Sequence, residues 1–259
     1  MSRGGRIWSW FWMILGILYF FLPLLATFLF SLRAIKGVLS FRAYQNVFST
    51  SEFVTSFSYS LLWASLTIIV GILIFVPTAY WVRLRVPQFR TAVEFITLLP
   101  FVVPVIVFVF GLVRTFSQPP FLIVDSPGLL VAAYVVLSMP YMYRAIDTGL
   151  RAIDVRTLTE AAQSLGSNWL QFLFGVILPN LRFAILSGAL ICFATVIGEL
   201  ILGDFLVRPA LGPYMVQVGR DSAYQPAAMA MLSWGLTWIC LGIIQLFGRG
   251  NNSQQIMGR

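Results

Sequence analysis

Long stretches without a charged side chain dominate this sequence. Five of them are each about long enough for a helix to cross a bilayer, which takes roughly 20 apolar residues. They are residues 7–32, 53–82, 95–113, 126–143 and 222–248. A sixth candidate span covers residues 181–203, where Glu199 interrupts the apolar run. We therefore predict an all-α integral membrane protein with six transmembrane helices that form a single domain over residues 1–259.

The composition excludes several classes of protein. Charged residues make up 10% of the chain and hydrophobic residues 59%, whereas soluble domains carry about 25% charged residues. Histidine is absent, and both cysteines, Cys192 and Cys240, lie in apolar runs, so zinc-type spacing and a disulfide framework are excluded. The net charge of +8 comes from basic residues spread over short loops, which argues against nucleic-acid binding. We predict that the chain holds no metal or cofactor and is not itself an enzyme.

The distribution of arginine predicts the orientation of the chain. The first apolar run is longer than the roughly 7–15 residues of a signal-peptide core, so we expect it to remain as an anchor. With the N-terminus inside, most basic residues fall in the predicted cytoplasmic segments, and the positive-inside rule places both termini in the cytoplasm. In the third span, Pro100 and Pro104 remove backbone donors. They predict either kinks that improve helix packing or a broken helix that lines a pathway.

The largest predicted cytoplasmic segment is the loop at about 144–180. Thr157 and Glu160 have the spacing of a capping box, which predicts a helix that begins there and ends at Gly166. Ser167 would cap a second, apolar helix over 168–176, and Pro179 would end it. Such an apolar element on the cytoplasmic face is typical of a docking surface for another protein.

The residues of this loop also resemble a known family. Residues 160–162 are Glu-Ala-Ala, Gly166 follows after three residues, and residues 176–179 are Val-Ile-Leu-Pro. This spacing closely resembles the EAA loop of permease subunits of binding-protein-dependent ABC importers. The sequence departs from the pattern only at Val176, where the family usually has Ile.

The resemblance implies a type I ABC importer permease fold, called MetI-like, in the bacterial inner (cytoplasmic) membrane. It also implies a coupling helix that sits in a groove of a separate cytoplasmic ATPase. The residues that it assigns to this coupling are Glu160, Ala161, Ala162, Gly166, Ile177, Leu178 and Pro179. The alternative for Glu160 is a capping role alone. The expected partners are two ATPase subunits, an extracytoplasmic solute-binding protein and a second, related permease subunit that forms a heterodimer with this chain.

ATP and Mg²⁺ are expected on the partner ATPase. The one lysine of the chain, Lys36, has no Walker A sequence around it. Hydrolysis would therefore take place outside this chain.

Candidate pathway residues are fewer and less specific. A carboxylate within a span costs roughly 2.5–3.5 kcal/mol and seldom faces lipid, so Glu199 marks either a pathway or an ion pair with Arg208 or Arg114. Asp204, Tyr141 and Trp234 could complete a site that attracts a cation, although such aromatic residues also serve as packing or interfacial anchors. Residues 194–200 resemble the permeases of the spermidine/putrescine and iron(III) group. We expect a polyamine or another organic cation, with iron(III), thiamine and phosphonate as alternatives.

A self-sufficient secondary transporter or channel is the main rival hypothesis. In that case the third helix and Glu199 would form a coupling-ion site. This alternative leaves the loop at 144–180 unexplained. An integral-membrane enzyme is a further alternative, but the sequence has no cluster of His, Asp, Cys or Ser at one depth.

Overall fold

The computed structural model describes residues 3–249, and all of its regular elements are helices. In chain order they are α1 (Arg3–Ser31), α2 (Arg42–Ser49), α3 (Ser51–Leu84), α4 (Arg90–Val102), α5 (Val105–Phe116), α6 (Pro127–Arg151), α7 (Val155–Ser164), α8 (Trp169–Phe172), α9 (Leu178–Ile197), α10 (Ile201–Phe205), α11 (Leu211–Gly219) and α12 (Tyr224–Arg249). A 3₁₀ turn, Pro87–Phe89, precedes α4, and a π-helical turn, Leu173–Ile177, joins α8 to α9.

The described part of the chain contains four helices that are long and apolar enough to cross a membrane. They include the continuous segment Trp169–Ile197, and the bent pair α4 and α5 supplies a fifth span if it is counted as one. The span predicted at residues 222–248 corresponds to α12, whose last side chains lie outside the described residues. The prediction of six spans therefore stays a prediction in its count.

The chain divides into two compact units, Met1–Thr55 with Tyr214–Leu236, and Ser56–Pro213 with Thr237–Arg259. In the first unit, the Ser31 hydroxyl lies 2.8 Å from the Tyr44 hydroxyl, so the end of α1 is hydrogen-bonded to α2. Ala43 and Val47 bury one face of the short α2. The predicted single permease domain is not tested by this division and stays a prediction.

The core of the second unit is the contact between α6 and α9. Met142 and Ile146 of α6 and Leu181 and Cys192 of α9 are fully buried. The helices approach closely because glycine lies at the contact: a Cβ atom built on Gly149 would lie 2.5 Å from Ala184 Cβ. Small residues let transmembrane helices approach in this way, so that van der Waals packing can hold them together.

Gly149→Ala is expected to destabilise the second unit, because the added methyl group overlaps Ala184 and Leu181. Overpacking of this kind costs about 1–3 kcal/mol. The melting temperature of the purified protein in detergent should fall by several degrees. The matched control is Gly111→Ala on α5, where nothing lies within 4 Å of the added atom. A control variant that melted as low as Gly149→Ala would contradict the packing argument.

The third predicted span is broken, as one of the two sequence hypotheses expected. The axes of α4 and α5 differ by 99° at a break of two residues, Val103 and Pro104. Pro104 caps α5 in an extended conformation, whereas Pro100 lies inside α4 without ending it. A proline at a helix start costs little, because its missing N–H would have no partner there.

The span predicted at residues 181–203, which is the fifth in chain order, begins earlier and ends earlier than predicted. It runs from Trp169 to Ile197, so the prediction that Pro179 ends a separate helix is wrong. The π turn explains this: the Leu178 N–H bonds to the Leu173 carbonyl, five residues back, and the wider turn accommodates the proline ring. The loop is also shorter than predicted, because α6 continues to Arg151.

Candidate coupling surface and pathway residues

The helix α7 is capped by a residue other than the predicted one. Asp154 accepts hydrogen bonds from the Thr157 hydroxyl at 2.7 Å and from the Thr157 N–H at 3.2 Å. These bonds hold the pKa of Asp154 below its usual value, so the cap is ionised at neutral pH. The predicted capping box between Thr157 and Glu160 is wrong, because the buried Val155 extends the helix by a turn. Glu160 instead pairs with Arg156 at 3.0 Å, and both side chains are exposed.

The other end of α7 is terminated as predicted. Gly166 has a φ of +75°, and its N–H bonds to the Gln163 carbonyl at 2.9 Å. The Ser167 N–H bonds to the Ala162 carbonyl at 3.0 Å. This pair of bonds is the Schellman motif, which closes a helix with a left-handed glycine. Both ends of α7 are therefore fixed by hydrogen bonds, and the helix is a defined element rather than a flexible loop.

The turn that follows is capped by Asn168 instead of the predicted Ser167. The Asn168 side chain accepts the Gln171 N–H at 2.8 Å, and the Gln171 side chain accepts the Asn168 N–H at 3.0 Å. This reciprocal capping box satisfies two backbone donors. It starts α8 and hence the fifth span directly behind α7.

One side of α7 packs against the rest of the second unit, and the other side is exposed. On the packed side, Val155 is buried, and the Thr159 hydroxyl lies 3.3 Å from the Tyr80 hydroxyl of α3. On the open side, Glu160 and Ala161 are exposed, and Leu165 is 88% exposed. The open side of α7 therefore presents a charged side chain and a large apolar side chain to any partner that contacts it.

The predicted coupling residues thus fall into two groups. Glu160, Ala161 and Gly166 lie on the exposed surface of α7, and Ala162 is half-buried towards α3. The others belong to the start of the fifth span. Ile177 is fully buried, Leu178 is half-buried and Pro179 is exposed.

An ion network below α7 was not predicted from the sequence. Asp147 of α6 is nearly buried and lies within 3.6 Å of the guanidinium nitrogens of Arg83 and Arg90, and 2.6 Å from Arg151. Arg151 also lies 3.3 Å from Glu94. The network ties the ends of α3, α4 and α6 together. A signal was available in the i, i+4 spacing of Asp147 and Arg151, which favours a pair on one helix face.

The structure places Glu199 after the end of α9, so the prediction that it lies inside a span helix is wrong. Its carboxylate accepts the N–H groups of Ile201 at 2.8 Å and Leu202 at 2.9 Å, at the start of α10. Neither Arg208 nor Arg114 pairs with it in the described part of the chain, and Arg208 donates to the Asp125 carbonyl instead. The buried Tyr134 interacts electrostatically with Glu199.

The other candidate pathway residues are not gathered around Glu199 within the second unit. Asp204 is exposed on α10. Tyr141 packs edge-on against Phe101 at 5.4 Å and lies seven residues, or about 10 Å, along α6 from Tyr134. Trp234 belongs to the first unit, where it is half-buried.

An all-helical membrane unit with a capped helix exposed between two of its spans is the architecture of an ABC importer permease subunit. The chain belongs to the family of binding-protein-dependent transport system inner membrane components, whose model matches residues 76–249. The expected type I importer permease fold is confirmed. The family also makes this a multi-pass protein of the inner membrane in a binding-protein-dependent system.

Curated relatives of the chain transport different solutes. A molybdate/tungstate transport system permease protein of Pyrococcus furiosus is 28% identical over 226 residues, which are 85% of this chain and 88% of the relative. A spermidine/putrescine transport system permease protein of Haemophilus influenzae is 26% identical over 57% of this chain and 56% of that protein. The solved bacterial alginate ABC transporter, in complex with its alginate-bound periplasmic protein, matches 93% of both chains with a TM-score of 0.65 and 18% identity, which shows the fold.

Proposed function

We propose that α7 docks on a separate cytoplasmic ATPase subunit and that its displacement drives this permease between inward- and outward-open states. The observation that carries the proposal is the exposed surface of Glu160, Ala161 and Leu165 on a helix fixed at both ends. A helix closed by hydrogen bonds at both ends transmits a push without unravelling. ATP and Mg²⁺ would bind to the ATPase and not to this chain.

One covalent link and one hydrogen bond would transmit a displacement of α7 to the membrane helices. The link of three residues, Ala152–Asp154, joins α7 directly to α6. The pair of hydroxyls of Thr159 and Tyr80 joins α7 to α3. Asp147 then holds the ends of α6, α3 and α4 in one group. A push on α7 would therefore move three helices together.

The proposal includes the remaining partners and the orientation. Two ATPase subunits, a second and related permease subunit and an extracytoplasmic solute-binding protein would complete the transporter, with both termini of this chain in the cytoplasm. The excess of basic residues in the predicted cytoplasmic segments supports this orientation.

Gly166→Pro should abolish both the retention of the ATPase and ATP-dependent uptake, because proline cannot adopt the φ of +75° or donate to Gln163. Glu160→Lys should reduce both by reversing a charge on the exposed surface. The measurement is mass spectrometry of what co-purifies with the tagged chain in mild detergent, together with uptake into proteoliposomes.

Gly166→Asn is the matched control, since asparagine tolerates the left-handed conformation. It should retain the ATPase and most of the uptake. Normal uptake by Gly166→Pro would contradict the coupling role. A chain that purified alone and moved solute without ATP would favour the secondary transporter.

For the substrate, we propose an oxyanion of the molybdate or tungstate kind, because four relatives carry that name. A polyamine is the second candidate and was the expectation from the sequence. Its support is the spermidine/putrescine relative and Glu199. That support is weaker, since the Glu199 carboxylate already accepts two backbone hydrogen bonds.

Uptake of radiolabelled tungstate and spermidine by the assembled transporter separates the two candidates. Tungstate uptake that spermidine does not compete would support the oxyanion. Spermidine uptake that falls in Glu199→Gln, with assembly unchanged, would support the cation and overturn the oxyanion.

A further inference from the structure

A cavity of about 380 Å³ lies between the cytoplasmic end of α3 and the segment that follows α7. We call it the α3–α8 cavity. Tyr80 and Trp81 of α3 and Trp169 and Phe172 of α8 form its aromatic walls. Arg85, just beyond α3, and Asn168 add polar groups to the lining. Neither the family resemblance nor the coupling proposal assigns a role to this cavity.

The aromatic walls form one connected surface. The ring centroids of Trp81 and Trp169 are 5.7 Å apart, and those of Tyr80 and Phe172 are 5.8 Å apart. Trp81 is 52% exposed on the outside of this surface. Tryptophan and tyrosine combine an apolar ring with a polar tip, and they are enriched at the level of lipid headgroups for that reason.

The positive charge at the cavity is uncompensated. Arg83, Arg90 and Arg151 lie close by in sequence or space, but all three are paired with Asp147. Arg85 is exposed and makes no ion pair within the described residues. A guanidinium carries a permanent charge and a planar set of donors that fits the oxygens of a phosphate group.

The length of α3 places the cavity near a membrane surface. From Ser51 to Trp81 the helix rises about 45 Å at 1.5 Å per residue. This equals the roughly 40–45 Å of a bilayer with its headgroups. If α3 starts at the outer surface, as the orientation in the proposed function requires, Trp81 and Arg85 lie at the headgroups of the cytoplasmic leaflet. That leaflet carries anionic lipids, which attract basic side chains.

One buried donor at the cavity lacks an acceptor. The indole nitrogen of Trp169 is buried and has no hydrogen-bond partner among the described residues. Leaving such a donor unpaired costs about 1–3 kcal/mol. This nitrogen has almost no accessible surface, so the Trp169 ring would have to turn before its N–H met a phosphate or ester oxygen of a lipid in the cavity.

We propose that the α3–α8 cavity binds an anionic phospholipid, with Arg85 against the phosphate and the aromatic walls against the glycerol and upper acyl chains. The lipid would brace the coupling segment against α3, since Thr159 and Asn168 line the same cavity. The proposal rests on the proposed function only for the side of the membrane on which the cavity lies.

The test titrates the purified transporter, with its co-purifying subunits, with phosphatidylglycerol or with phosphatidylcholine of the same acyl chains, and follows thermal unfolding. Phosphatidylglycerol should raise the melting temperature more than phosphatidylcholine does. Arg85→Gln should require about fivefold more phosphatidylglycerol for the same rise, as expected for the loss of one basic side chain at a membrane surface. Arg85→Lys should require an amount of phosphatidylglycerol between those required by the unmodified protein and by Arg85→Gln.

Arg182→Gln is the matched control, because Arg182 is also exposed and makes no ion pair within the described residues but does not line the cavity. It should respond to phosphatidylglycerol like the unmodified protein. An equal response to both lipids, or equal shifts in the two variants, would overturn the proposal.

Two further outcomes would replace the lipid by another occupant. Stabilisation by soluble glycerol phosphate that depended on Arg85 would show a site for free phosphate. Loss of a co-purifying ATPase in Arg85→Gln, without any dependence on lipid, would show that a protein side chain fills the cavity. Neither outcome changes the result expected for the Gly166 variants. If the lipid proposal is wrong, the coupling proposal can therefore still be correct.

Discussion

Gly212→Ala is expected to give little folded protein. The added methyl group would prevent α11 from packing against the backbone at Glu199. A Cβ atom on Gly212 would overlap the Glu199 carbonyl oxygen and lie 2.9 Å from Leu200 Cα. Both neighbours are backbone atoms, which cannot turn aside as a flexible side chain can. The cost should therefore reach or exceed the upper end of the roughly 1–3 kcal/mol typical of overpacking.

The segment around Gly212 has little freedom to move away. The Leu211 N–H donates to the Ser60 hydroxyl at 2.8 Å, and the Trp63 indole donates to the Pro209 carbonyl at 3.1 Å. The fraction of monodisperse protein on size exclusion and the melting temperature measure the effect. Gly235→Ala is the control, since nothing lies within 4 Å of its added atom. Equal behaviour of the two variants would refute the close approach.

Asp147→Asn should destabilise the protein by about 1–3 kcal/mol, which is the usual cost of losing hydrogen bonds to a charged group. The asparagine would leave three guanidinium groups facing each other without their shared carboxylate. The side chain of Asp147 is only 12% exposed, whereas the three arginine side chains are 31–50% exposed, so water compensates part of the lost attraction. We also expect uptake to fall, because the network joins the helices that α7 would move.

Glu94→Gln supplies the comparison for Asp147. The Glu94 side chain is 44% exposed and pairs with Arg90 and Arg151, so its loss should cost below about 1 kcal/mol. Chemical denaturation or thermal melting of both variants measures the difference. An Asp147→Asn protein as stable as Glu94→Gln would mean that the network contributes little.

The sequence predicts the structural elements that are determined by the length of an apolar run or by the local spacing of residues. Runs without charge predict the spans, because lipid leaves the backbone no other partner than its own helix. The end of α7 at Gly166 was predicted correctly for a similar reason: only a residue that tolerates a positive φ closes a helix in this way. The break at Pro104 also followed from a local property of the chain.

Features that depend on neighbours distant in sequence, or on a local departure from α-helical geometry, were missed or predicted wrongly. Asp154 caps α7 because Val155 finds a buried site, which a capping pattern cannot reveal. The continuity of the fifth span through Pro179 depends on a π turn. The spacing of Asp147 and Arg151 indicates one ion pair, but Arg83 and Arg90 reach Asp147 from other helices, which the sequence does not show.

Because the π turn keeps the fifth span continuous, a tilt at one end of this span displaces its other end. Trp169–Ile197 is one rod of 29 residues, about 43 Å long, although a proline lies within it. Each degree of tilt at its tip beside α7 moves the opposite end, next to Glu199, by about 0.75 Å over that length. A rotation of a few degrees at the end beside α7 would therefore displace the end beside Glu199 by a few ångströms.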